Sequence, residues 1–102
     1  MIRAFGGKTP RIHPTAFVAE GVVVIGDVEV GPEASLWFGC VLRGDINTIS
    51  IGPRTNLQDD TLVHTDRGRN PTTIEEEVSV GHRVILHGCT VRRGALIGMG
   101  AV

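Results

Sequence analysis

Apolar residues recur at every sixth position along most of this chain. The first series is Ile12, Val18, Val24, Val30, Leu36 and Leu42. Four residues beyond each stands a mostly small or β-branched residue, in the series Ala16, Val22, Val28, Ala34, Cys40 and Ile46. The period resumes at Ile51, Leu57 and Val63, again at Val80 and Leu86, and last at Val91 and Ile97. Because a period of six fits neither an amphipathic helix nor an alternating strand, it predicts a parallel β-helix of short stacked strands.

The predicted fold is a single all-β domain over residues 1–102. We expect a left-handed parallel β-helix of about five coils, with three six-residue repeats in each coil and no C-terminal helix. Residues 1–11 lack the repeat and are predicted to form an irregular lead-in. Residues 66–77 are polar and contain Gly68, Asn70 and Pro71, so they are predicted to form a loop that protrudes from one coil.

Composition and charge narrow the functional classes. Aromatic residues make up 4% of the chain and hydrophobic residues 41%, which suits a narrow prism filled by aliphatic side chains. The net charge is −1 and no basic stripe is present, so nucleic acid is not expected as a partner. No run resembles a signal peptide or a membrane span, so we expect no membrane contact and a cytoplasmic location. Cys40 falls on an inward position and is predicted to be a buried thiol.

The phase of three histidines within the repeat predicts where each one lies. Val63 and Leu86 begin repeats on the same face and are 23 residues apart, which is one coil plus five residues of the polar loop. His64 and His87 directly follow them, so we expect both imidazoles on one face, with their strands about 4.8 Å apart. Two imidazoles at that spacing can reach one ion, since Zn–N bonds are about 2.0–2.1 Å.

The third histidine, His82, belongs to the preceding repeat and therefore to the neighbouring face. We expect it to stack over residues 57–59 and to point away from His64 and His87 of its own chain. In a cyclic trimer, however, the His82 face of one copy can pack against the His64 and His87 face of the next, which brings three imidazoles together at each interface. A single histidine is more often a structural polar residue than a ligand, and His13 is interpreted in that way.

Six short runs carry a more specific signal. They are Arg43-Gly44-Asp45, Asn56-Leu57-Gln58-Asp59, Val63-His64, Val80-Gly81-His82, Leu86-His87-Gly88-Cys89-Thr90 and Ile97-Gly98-Met99-Gly100-Ala101. Together they resemble the motif set of the γ-class carbonic anhydrase family, and the resemblance spans most of the chain. It implies a left-handed β-helix that assembles as a homotrimer, with three histidines binding zinc, iron or cobalt between subunits.

The same resemblance implies individual roles. The implied metal ligands are His64, His82 and His87. The implied ion pair across the interface is Arg43 and Asp45. Gln58 would hydrogen-bond the metal-bound water or bicarbonate, supported by Asn56 and Asp59. The implied reaction is the reversible hydration of carbon dioxide to bicarbonate by a metal-bound hydroxide at the trimer interface.

The loop after His64 departs from the best-known active form of the family, in which a longer acidic loop carries a glutamate as proton shuttle. Here the loop offers only Asp66, so we expect low activity. Two further classes stay open: a metal-dependent hydrolase on the same scaffold, such as an acyl-CoA thioesterase, and a non-catalytic trimeric assembly protein. Hexapeptide acyltransferases share the fold but typically use one catalytic histidine, so the set of three argues against them.

Overall fold

The computed structural model describes all 102 residues and contains thirteen β-strands and no helix. The strands are β1 Ile2–Arg3, β2 Arg11–Ile12, β3 Phe17–Val18, β4 Val23–Val30, β5 Ser35–Leu36, β6 Val41–Ile51, β7 Asn56–Leu57, β8 Leu62–His64, β9 Thr72–Ile74, β10 Ser79–Val80, β11 Ile85–His87, β12 Thr90–Val91 and β13 Leu96–Ile97. All pairings between these strands are parallel. The predicted parallel β-helix of about five turns is therefore confirmed. No helix is long and apolar enough to cross a membrane.

The strands form three faces around a narrow prism. The two long strands, β4 and β6, each turn a corner and pair with different strands in their first and second parts. Face 1 comprises β1, β8, β11 and the first parts of β4 and β6, whereas face 2 comprises β2, β9, β12 and their second parts. Face 3 is the separate five-stranded sheet of β3, β5, β7, β10 and β13.

The core is made of aliphatic columns that run along the prism axis. On face 1, Val24, Leu42 and Val63 are fully buried and stand in register with one another. Leu36 and Leu57 do the same on face 3. Alternation within each short strand turns the neighbouring side chain outward. Burial of one such side chain is worth about 1.5–3 kcal/mol, so the stacked columns are the main source of stability.

Cys40 is the predicted buried thiol. Its side chain is fully buried and its Sγ donates to the carbonyl of Gln58 at 3.0 Å. Burial raises the pKa of the Cys40 thiol because the interior disfavours the charged thiolate. Both cysteines are free, and Cys40 belongs to the core.

The interruption in the repeat shifts one inward position. Gly26 pairs with Gly44 but Val28 pairs with Ile49, so Asp27 alone faces residues 45–48 of the next coil. Ile46, the last member of the second apolar series, is therefore 36% exposed, and Ile49 fills the buried position. The insertion shifts the register by three residues, and a six-residue count cannot show where the extra residues leave the coil.

Two predicted irregular segments contain strands. In the lead-in 1–11, Ile2–Arg3 extends face 1 by pairing with Val24 and Ile25. In the predicted loop 66–77, Thr72–Ile74 pairs with β6 and β12, so only residues 66–71 leave the coil. Both predictions are wrong in these parts, because strands of two or three residues are too short to display a six-residue period. In β9 a buried threonine, Thr72, also occupies an inward position that the pattern expects to be apolar.

Candidate metal centre

His64 and His87 lie side by side on face 1. The strands β8 and β11 place them as direct register partners, and their ring centroids are 5.1 Å apart at an interplanar angle of 64°. Val63 and Leu86 point into the core, so the next residue of each strand points outward. The predicted phase of these two histidines is confirmed. The two imidazoles therefore lie on adjacent strands of one face, as a shared ion would require.

A carboxylate holds each imidazole through its Nε2 atom. His64 Nε2 lies 2.9 Å from Asp45 Oδ1, and Asp45 Oδ2 accepts from Arg43 at 2.7 Å. His87 Nε2 lies 2.7 Å from Asp66 Oδ1. The His64 side chain is 15% exposed and that of His87 is 46% exposed, so His87 stands nearer to solvent. Carboxylate partners of this kind are typical beside metal-ligating histidines, where they set the orientation of the ring.

The environment of each carboxylate favours its charged form. Partial burial opposes ionisation of Asp45, but hydrogen bonds from His64 and Arg43 outweigh it and hold the pKa of Asp45 below its usual range. The hydrogen bond from His87, followed by that from Asn70, lowers the pKa of Asp66. An ionised carboxylate only accepts hydrogen bonds, so in both pairs the imidazole Nε2–H donates.

A buried threonine connects the backbones of the two histidine strands. Thr72 Oγ1 donates to the carbonyl of His64 and accepts from the Gly88 N–H at 2.8 Å. The side chain is fully buried, so both contacts form away from water. The sequence does not mark Thr72 as a site residue, because nothing in the repeat distinguishes a threonine with two partners from an unpaired one. Its position after the loop is the only available signal.

His82 lies at the end of face 3, in the turn that connects β10 to β11 on face 1, so its phase assigns it correctly to the repeat before that of His87. It follows β10, which pairs with β7, and its Nδ1 is 3.1 Å from Asp59 Oδ1. Its side chain is 51% exposed. Directly after β7, the Gln58 amide donates to Asn56 Oδ1 at 3.1 Å, and the Asn56 amide donates to Ser79 at 3.0 Å. The end of face 3 and the turn that follows it therefore present His82 together with the residues expected to contact the substrate.

Within one chain, the predicted site residues form two separate groups. No group of three or more His, Cys, Asp or Glu side chains is placed to hold a metal ion. Arg43 and Asp45 pair with each other in the single chain, and their pairing across an interface stays a prediction. The main groove of the chain, about 870 Å³, runs along face 2 beside residues such as Glu29, Ser50 and Thr73, and contains none of the predicted site residues.

The donor set fits a metal ion on one condition. Imidazole nitrogens are good ligands for zinc, iron and cobalt, and His64 and His87 converge closely enough to share one ion. The third imidazole is exposed in the turn at the end of face 3 and forms no three-residue group with the other two, so it is available to a second copy but not to its own pair. The residues therefore fit a metal centre only if two copies contribute to it.

Comparison with known proteins identifies relatives of the chain. It is 49% identical over 102 residues to a carbonic anhydrase from Geobacillus kaustophilus, which covers 100% of this chain and 56% of that one. It is 50% identical over 99 residues to the mitochondrial gamma carbonic anhydrase 1 of Arabidopsis thaliana, which covers 92% of this chain and 36% of that protein. No protein-family model matches the chain.

A solved structure shares the fold. A crystal structure from Bacillus cereus, reported under a provisional acetyltransferase name, superposes with a TM-score of 0.94 and 45% identity over 97% of this chain and 57% of that one. Parallel β-solenoids of this kind are a class of hexapeptide-repeat proteins. This chain belongs to the γ-carbonic anhydrase family within that class, and it spans 36–57% of the length of these three relatives.

Proposed function

We propose that this chain forms a carbonic-anhydrase-type metal centre between neighbouring copies of a homotrimer, with His64 and His87 from one copy and His82 from the next. The observation that carries the proposal is the register of His64 on His87, with His82 exposed in the turn between faces 3 and 1. The relatives named as carbonic anhydrases support the same assignment. The proposed cofactor is Zn²⁺, with Fe²⁺ or Co²⁺ as alternatives.

The proposed reaction is the reversible hydration of carbon dioxide to bicarbonate. When bound, an ion held by three neutral imidazoles lowers the pKa of a coordinated water to about 7 and so supplies a nucleophile at neutral pH. Gln58 orients the oxygen atoms of the reactants, and Asn56 fixes the Gln58 amide by accepting from its Nε2. Asp59 contacts His82 and thereby orients the ligand that the second copy receives.

Proton removal is the weak step of this site. Asp66 is the carboxylate that contacts His87, but it is already bound by His87 and Asn70. Its lowered pKa makes it a poor proton acceptor at neutral pH. We therefore propose slow hydration, limited by proton transfer. A cytoplasmic location stays a prediction from the sequence.

The proposal is tested by metal content, oligomeric mass and carbon dioxide hydration of the purified chain, with and without chelator. We expect about one metal ion per chain in a trimer, and hydration that the chelator abolishes. His13→Ala is the matched control, because His13 contacts Thr15 and lies far from the pair on face 1. A monomer without metal would overturn the proposal, and a zinc trimer without hydration would favour a hydrolase or an assembly protein.

A mixing experiment tests the sharing of the site. Neither His64→Ala nor His82→Ala alone should bind metal at full occupancy, but mixed trimers should regain some intact sites. Such a site takes His64 and His87 from a copy that carries His82→Ala, and His82 from a copy that carries His64→Ala. Mixed trimers, verified by mass, that recover no metal would show that the three histidines do not meet between copies.

A further inference from the structure

Both interruptions of the repeat occur at the same corner of the prism. Residues 45–48 of β6 face Asp27 alone and so contain the three extra residues of the first insertion. Residues 66–71 leave the next coil between β8 on face 1 and β9 on face 2. The two insertions therefore project from adjacent coils and lie one above the other beside the His64 and His87 pair.

One side chain of the first insertion holds the second. Asn47 Nδ2 donates to the carbonyl of Asp66 at 3.1 Å and to the carbonyl of Gly68 at 3.2 Å. Its Oδ1 accepts from the backbone N–H of Thr48 at 2.8 Å, which fixes the orientation of the amide. Both amide hydrogens of Asn47 are then donated in hydrogen bonds. The half-buried Asn47 side chain therefore connects the two insertions.

The loop that Asn47 holds begins with Asp66, the residue that contacts His87. Asp66 accepts from His87 through Oδ1 and from Asn70 through Oδ2. The Asp66 backbone also donates to the carbonyl of Asn70 at 3.1 Å, which closes the loop on itself. Asn47 thus lies two contacts away from the His87 ring, through the backbone and then the side chain of Asp66.

We propose that Asn47 is a positioning residue for His87, acting through the loop 66–70 and the Asp66 carboxylate. Apart from the Asp66 contact with His87, the remaining hydrogen bonds of the loop are internal, and Arg67 and Arg69 are exposed, so few other hydrogen bonds fix its place. Asp66 itself is half exposed and gains a fixed position only if its backbone is held. The consequence for metal binding rests on the proposed function, whereas the orientation of His87 does not.

The first test uses the metal-free chain. Asn47→Asp replaces the donor group with a carboxylate that faces two carbonyl oxygens, so the loop should be released. Trypsin should then cut after Arg67 or Arg69 about tenfold faster, because two hydrogen bonds are lost. Thr48→Ala is the matched control: it removes the hydroxyl contact with Asp27 but keeps the backbone contact to Asn47, and should leave the cutting rate within about twofold.

The second test reads the ring itself. The nuclear Overhauser contact between the ring protons of His64 and His87, whose centroids are 5.1 Å apart, should weaken in Asn47→Asp and in Asp66→Asn but not in Thr48→Ala. The double variant should show no larger change than either single one, since both act on one pathway. Asn47→Ala serves if Asn47→Asp fails to fold, with circular dichroism as the check on folding.

The metal readout separates this inference from the proposed function. Zn²⁺ affinity, measured by chelator competition, should fall by about 10- to 100-fold in Asn47→Asp and remain unchanged in Thr48→Ala. One outcome is that neither the natural chain nor any variant binds Zn²⁺, while the ring contact still depends on Asn47. The positioning role of Asn47 would then stand, and the proposed function would fail. An unchanged ring contact and cutting rate in folded Asn47→Asp and Asn47→Ala would overturn the inference.

Discussion

Two corners of the prism hold the chain by different means. At the corner between faces 3 and 1, residues in the left-handed region stack coil upon coil, with φ between 56° and 83° at Gly21, Gly39, Asp60, Arg83 and Gly100. Backbone hydrogen bonds such as that from Arg83 to Asp59 connect these turns. At the corner between faces 1 and 2, the two insertions break the stack, and the side chains of Asn47, Thr48 and Asp66 make the contacts instead.

The difference explains where the candidate site lies. A corner held by backbone contacts repeats itself and leaves its side chains free to vary. A corner held by side chains depends on particular residues, and two carboxylates at this corner, Asp45 and Asp66, contact His64 and His87. Face 1 is therefore bounded by a regular corner with repeated backbone contacts on the side of face 3. On the side of face 2 it is bounded by an irregular corner with residue-specific side-chain contacts.

The largest expected effect tests which residue fills the core at the interrupted corner. Ile49→Ala should cost about 2–5 kcal/mol of unfolding free energy, because Ile49 is fully buried and the cavity would not collapse. Ile46→Ala should cost less than about 1 kcal/mol, since that side chain is partly exposed. Urea unfolding of both variants measures the difference. Equal losses would mean that the insertion does not shift the register as described.

A pair of buried threonines tests how much side-chain contacts contribute at this corner. Thr72→Val should destabilise the chain by about 1–3 kcal/mol, because the His64 carbonyl and the Gly88 N–H lose a buried partner. Thr65→Val should be neutral or stabilising by about 1 kcal/mol, since the Thr65 hydroxyl is buried without any partner. Thermal unfolding of the two isosteric variants is the measurement. A loss in Thr65→Val as large as in Thr72→Val would contradict the description of both sites.

The smallest expected effect is a pH dependence at the bulge residue Asp27. Its pKa is lowered chiefly by the hydrogen bond from Thr48, and next by Arg11 against the opposing effect of burial. The folded chain thus binds this proton more weakly than the unfolded chain. The contribution to stability is complete above the unfolded pKa of about 3.9 and is lost as pH falls through the folded value.

Asp27→Asn should therefore reduce stability at pH 7 and narrow the difference in stability between pH 7 and pH 3. Urea unfolding at the two pH values provides the measurement. Glu20→Gln is the control, because Glu20 is exposed and makes no side-chain contact. An Asp27→Asn variant with the same acid sensitivity as the natural chain would show that the Thr48 and Arg11 contacts contribute nothing to it.

Most of the fold and the relative phase of the three histidines could be predicted from the sequence. The reason is geometric: a six-residue repeat specifies which residues face inward and which stand one coil apart, so Val63 and Leu86 imply the register of His64 on His87. The route of the insertions could not be predicted, because extra residues leave the coil without a periodic signal. Ile46, the strand at Thr72–Ile74 and the lead-in strand at Ile2–Arg3 are the places where this matters.

The sequence by itself determined a parallel solenoid and the separation of His82 from His64 and His87, because spacing along a repeat is information that the chain carries locally. Only the tertiary structure decided what holds each imidazole. Asp66, in the loop after β8, contacts His87 at the end of β11, and Asn47 in β6 contacts the same loop from the preceding coil. Contacts between insertions on different coils depend on the path of the backbone in space, which no spacing of residues specifies.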